Sequence, residues 1–208
     1  MANVIGRRQL DALAIAAAPA AILAGVVLHP YQGRFTDSAE TARLMASAPT
    51  RWAWAHLALG FGICLLILAV FALRHHLRSL GEDASSFWAV PFTTIGGGLF
   101  VFIVGAEGLG GFAAAKAGEG ASFADALQDW WWLWLMAVAL LAAGLVFLAT
   151  AVARSGLVVG NARRLAVVGL VAMSVAGFIP AGVALYVTGA SSAVALGVLA
   201  GGVLGSRK

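Results

Sequence analysis

The chain has 208 residues, 62% of them hydrophobic and only 11% charged, with a mean hydropathy of +0.94. A soluble domain of this length carries about a quarter charged residues, because a wetted surface has to cover its core. So low a charge content excludes that class and makes lipid the expected solvent for most of the surface.

A membrane-crossing helix needs about 20 mostly apolar residues, at a rise of about 1.5 Å each. Leu10 to His29 supplies the first, stopped by Pro30 and a polar loop. Arg7-Arg8 ahead of an Ala-rich run resembles a secretory leader, but the length of the run, Asp11 within it and the lack of a clean cleavage site favour an uncleaved span. In the loop that follows, Asp37-Ser38-Ala39-Glu40 has the spacing of a helix cap and predicts a short helix to Ala48. The second span is Trp52 to Leu73, ending in Arg74, His75, His76 and Arg78; this collar is expected to meet anionic lipid headgroups. Cys64 lies within the second run, where a thiol has a packing role and no partner for a disulfide.

Phe87 to Phe112 is the third span, with Pro91 in its opening turn, where a missing N–H costs little. Ser122-Phe123-Ala124-Asp125 predicts a second capped loop helix, running to Asp129. The fourth span is Trp130 to Ala153, closed by Arg154. Leu165 to Leu204 is about two spans long, and Pro180-Ala181-Gly182 near its middle allows a turn. It reads as two helices, 165–179 and 181–204. The competing reading is one kinked span to Tyr186, with Gly189 to Leu204 as a short re-entrant piece.

The expected fold is therefore all-α: one polytopic bundle of six spans in a cell membrane. Arg7, Arg8, Arg74, Arg78, Arg154, Arg163, Arg164, Arg207 and Lys208 would lie inside, against Arg34, Arg43, Arg51 and Lys116 outside. That bias places both chain ends in the cytoplasm. The same clustering accounts for the net charge of +4 without a basic face, which excludes nucleic acid as a partner. The excess of Arg over Lys and the abundance of Ala, Gly and Val suit a GC-rich bacterial gene. The order "capped loop helix, tryptophans, span, arginine" occurs twice, as a duplicated hairpin or as any such outer loop would produce it.

Trp52, Trp54, Trp130, Trp131, Trp132 and Trp134 all fall at outer span boundaries and read as an interfacial belt, with a ligand-stacking cage as the sharper alternative. Gly189, Ala193, Gly197, Gly201 and Gly205 recur every four residues, a small-residue face for an internal helix, a second copy or a partner subunit.

Ionisable groups within spans are costly and mark functional candidates. Counted by helical rise, Glu107, His29 and His56 fall within one or two turns of one plane near the outer face, with Asp129 and Arg51 at the same interface. Two imidazoles and a carboxylate suit a divalent metal. They equally suit a proton relay, or, through the two histidines, a haem. The plain alternative makes the histidines interfacial and Glu107 a packing contact. No local metal, nucleotide or nucleophile motif is present. Three functions follow: a non-catalytic scaffold or accessory subunit, a small proton-coupled transporter using Glu107, and a membrane-embedded metal or haem protein.

Overall fold

The computed structural model describes residues 6–205, so Arg207 and Lys208 of the expected inner cluster lie outside the described residues. Those residues are helical, with no strand among them: α1 (Arg7–Leu28), α2 (Ser38–Ser47), α3 (Pro49–Ser79), α4 (Ala84–Gly105), a π-helical turn (Ala106–Gly110), α5 (Gly111–Ala117), α6 (Gly120–Asp129), α7 (Trp131–Ser155), α8 (Gly160–Ala176) and α9 (Gly182–Gly205). Five of them are long and apolar enough to cross a membrane: α1, α3, the continuous run Ala84–Ala117, α7 and α9. That makes the chain compatible with a membrane protein. α8, with 17 residues, stops short of that length.

Several boundaries differ from expectation for identifiable reasons. α3 starts at Pro49, whose missing N–H is harmless in a first turn, and not at Trp52. α4 starts at Ala84 because the Glu82 carboxylate takes the N–H groups of Ser85 (2.9 Å) and Ser86 (3.1 Å), a cap absent from the sequence reading. Pro91 consequently sits inside the helix, and the run continues past Phe112 to Ala117. Ser122 is not a cap either, since α6 begins at Gly120. The first loop helix forms as expected: Asp37 Oδ1 accepts from Glu40 N–H at 2.9 Å. Asp37→Ala is expected to cost α2 about 1 kcal/mol, read as faster amide exchange at Glu40. At Pro180 the chain breaks between α8 and α9, which overturns the single kinked helix.

Six helices close a ring in which each packs on the next: α1, α3, α4, α7, α8, α9 and back to α1. One end carries Arg74, Arg78 and Arg154; the other is covered by α2 and α6, which pack on each other. We call these the arginine end and the capped end. Toward the arginine end the ring is filled solid, with Ile15, Leu73, Leu77, Leu148, Val152, Leu199 and Val203 all buried in one cluster. Here His76 turns inward to Asp11 (Nε2 to Oδ2, 2.9 Å), tying α3 to α1, so of the expected histidine collar only His75 is exposed. Arg74 and Arg78 both reach Asp83, at 3.1 and 3.9 Å.

Two hairpins cross at glycines. A Cβ on Gly25 would lie 2.8 Å from Leu59 N, and one on Gly62 would lie 2.8 Å from Ile22 N, so α1 and α3 meet backbone to backbone. α4 and α7 do the same at Gly96, 2.8 Å from Leu140 C, and Gly144, 2.6 Å from Thr93 N. The expected small-residue face of α9 is split. Gly189 rests on Leu23 of α1, whereas Gly197, Gly201 and Gly205 look onto open space. The α8–α9 contact runs instead through Gly169, against Ser191 O and Ala195 Cβ (both 2.9 Å).

Candidate functional site

Toward the capped end the ring is not filled. It holds a cavity of about 150 Å³, walled by all six ring helices and covered by α2, α6 and the loop after α1. The floor is Leu66, Leu145 and Ser174; the top holds His29, His56 and Glu107. The cover is pinned by main-chain bonds between loops, Phe35 N to Pro180 O (3.0 Å) and Gly182 N to Gln32 O (2.8 Å).

His56 stands about two turns into α3, which places its buried ring against Trp52 and His29, with centroids 4.4 and 5.0 Å away. Its Nδ1 donates to Trp52 O at 2.8 Å, because a carbonyl can only accept. Nε2 is thereby the nitrogen that faces the cavity, 3.4 Å from Glu107 Oε2. His29 is arranged alike, its Nδ1 donating to Pro30 O at 2.7 Å and leaving Nε2 free. Between Nε2 of His56 and the Glu107 carboxyl, attraction requires one proton. Without it, two lone pairs face each other; with it, the pair is either imidazolium and carboxylate or imidazole and carboxylic acid, and neutral in sum.

Glu107 is delivered by the π-helical turn, a widened turn of the kind often found at functional sites. The Trp52 indole donates to Glu107 O at 2.8 Å. The glycines around Glu107 make this possible: a Cβ on Gly108 would lie 2.7 Å from His56 Cβ, and one on Gly111 would lie 2.9 Å from Trp52 Nε1. The Glu107 side chain keeps 28% of its surface accessible, and among the described residues its one ion-pair partner is His56.

Three of the sequence candidates thus meet and two do not. Asp129 is exposed at the end of α6. Arg51 donates to Leu28 O (2.6 Å) and Val27 O (3.5 Å), closing the carbonyl end of α1. The tryptophans divide. Trp54, Trp130 and Trp132 face outward, while Trp52 is buried at 2% exposure and Trp131 and Trp134 line the cavity, stacked at 4.4 Å with 12° between planes. Trp52, Trp131 and Trp134 thus contribute to the chamber, whatever their depth. The i, i+3 spacing of Trp131 and Trp134 carried that signal, since it puts both on one helix face. Gln32, Thr41 and Gln128, which also line the cavity, carried none.

Among the described residues no three His, Cys, Asp or Glu side chains are placed to hold a metal ion. The two imidazole rings lie with centroids 5.0 Å apart and planes tilted by 53°. What the fold and site define is an all-helical protein of long apolar helices around a half-depth chamber where His56 Nε2 and Glu107 Oε2 face each other at 3.4 Å. No family model, curated protein or solved structure matches the chain.

Proposed function

We propose that the chain is a six-span protein of a cell membrane, with both ends on the side of the arginine end, and that it works as a small proton-coupled carrier whose binding site is the chamber. α8 counts as the sixth span because Phe178 and Ile179 extend its apolar stretch beyond the helix proper. The observation that carries the carrier reading is the His56–Glu107 pair opening onto a cavity walled by every helix of the ring. An ionisable pair is expensive inside a bilayer and is retained where a proton or solute passes. The two glycine-crossed hairpins, each returning through a loop helix, also suit the repeated architecture of carriers.

Proteoliposomes with an acid interior and a trapped pH indicator test this. Addition of small solutes outside, drawn from amines, amino acids and sugars, is expected to hasten loss of the gradient in wild-type vesicles. Glu107→Gln should remove that acceleration while leaving insertion and yield unchanged. Equal rates in the two would take Glu107 out of the coupling.

A scaffold or accessory-subunit role is a second reading, favoured by Gly197, Gly201 and Gly205, which face open space on the outside of the ring. Its mark would be a stable complex with another membrane protein that Gly201→Leu disperses.

A further inference from the structure

The chamber's walls say what kind of solute would rest there, an inference that builds on the carrier reading above. Among the described residues no lysine or arginine lines the cavity. Several of its polar donors are already engaged within the protein. Gln32 Nε2 donates to Arg34 O (3.1 Å) and Thr41 Oγ1 (2.6 Å), and Gln128 Nε2 to Phe35 O (3.3 Å). Ser174 Oγ donates to Leu170 O (2.9 Å), and both histidine Nδ1 atoms to backbone carbonyls. An anion would therefore find neither a cation nor a cluster of free donors, and a sugar would leave most of its hydroxyls unpaired.

The walls offer two other things. One is a carboxylate, Glu107, held at the chamber's edge by a neutralisable partner. The other is aromatic surface: Trp52, the stacked Trp131 and Trp134, Phe35 and Phe100 all line the space. Ring faces carry negative potential and attract a cation that has shed its water, most strongly when the ring is tryptophan. A carboxylate, indole faces and an otherwise oily lining together describe a receptor for a cation with a poorly hydrated, apolar body. The chamber's volume suits a molecule of roughly one aromatic ring with a small substituent.

We infer that the chamber binds a small lipophilic organic cation, of the aryl-alkyl quaternary ammonium class, beside Glu107 and in exchange for a proton taken up between His56 and Glu107. The exchange conserves charge. With the proton present the pair is neutral in sum. With the cation present, neutral His56, ionised Glu107 and the bound positive charge again sum to zero, and the displaced proton leaves to water. Burying both at once would leave a net positive charge in a low-dielectric chamber, which is strongly disfavoured. The pair has few titratable neighbours. From α1 it meets His29, and α7, α8 and α9 present none to the chamber. On α3, Arg51 is turned to the carbonyl end of α1; on α5 and α6, Lys116, Asp125 and Asp129 are exposed.

The test is titration calorimetry of the full-length protein in detergent or nanodiscs with benzyltrimethylammonium, in two buffers of different protonation enthalpy. The wild type is expected to bind it with release of one proton. One unit of acidification should weaken binding by up to about tenfold, as one-for-one exchange requires. Glu107→Gln should weaken binding by about tenfold or more, and Trp134→Leu by a smaller factor, with melting temperatures unchanged. Binding without proton release, or binding equally tight in Glu107→Gln, would overturn the inference. Proton release is read on the unmodified protein, so it decides the matter even where a variant folds poorly. Absence of binding with solute-triggered proton flux intact would sink the cation and spare the carrier. Binding with proton release but no flux would do the reverse.

Discussion

Gly144→Ala and Gly96→Ala are expected to be among the most damaging single-methyl additions in the protein. At Gly144 the new Cβ would meet Thr93 N at 2.6 Å, and at Gly96 it would meet Leu140 C at 2.8 Å. Both obstacles are main chain, which has no rotamer to move into. Overpacking a tight interior costs about 1–3 kcal/mol even where side chains can give way, so these positions belong at or above the upper end. Melting in detergent should fall by several degrees for either alanine variant. Leucine at either site should prevent recovery of folded protein. Gly197→Ala and Gly201→Ala are the controls, because a methyl there meets nothing within 4 Å. Equal melting temperatures across the four alanine variants would show that the α4–α7 crossing is looser than described.

Trp52→Ala is the second large effect expected. The ring is 2% exposed, stacks near both histidines, fills the seam beneath α2 and α6 with Met45 and Ala124, and binds Glu107 O through its indole nitrogen. Truncating a buried Trp to Ala costs about 3–5 kcal/mol, and here it also frees the Glu107 turn. Trp52→Phe keeps most of the volume and loses one hydrogen bond, for about 1 kcal/mol. Trp54→Ala, on the outward face, should stay within about 0.5 kcal/mol. Thermal melting resolves the three. A Trp52→Ala protein as stable as Trp54→Ala would contradict the buried placement of Trp52.

What could be read without coordinates follows from the physics of lipid. A helix that must bridge hydrocarbon announces itself by length, and depth along it follows from rise, so Glu107, His29 and His56 fell on one level by counting alone. Azimuth did not follow. α3 and α4 are apolar all round, so no polar stripe tells which side turns inward. Six tryptophans at one depth read as a belt, although three of them point to the middle of the ring. Glycine suffers the same ambiguity. Gly96, Gly97 and Gly98 stand in a row, yet Gly96 meets a neighbouring backbone, Gly97 meets side chains, and Gly98 meets nothing within 4 Å. The four-residue stripe on α9 is the regular pattern, yet the irregular pair Gly96 and Gly144 makes the tighter contact. Glu82 escaped notice because a carboxylate beside arginines reads as surface charge before it reads as a cap.

The chamber stops halfway, on a floor of Leu66, Leu145 and Ser174 above solid packing. The chamber is therefore closed toward the arginine end unless that packing parts. The obstruction mixes alanines, at positions 12, 69, 149, 151, 166 and 195, with larger side chains such as Ile15, Leu73, Leu77, Leu148 and Leu199. Helices that meet through methyl groups present shallow teeth to one another, and one can slide along another without lifting far out of mesh. Opening this end of the ring would thus require displacing those larger side chains as well as shear between ring members.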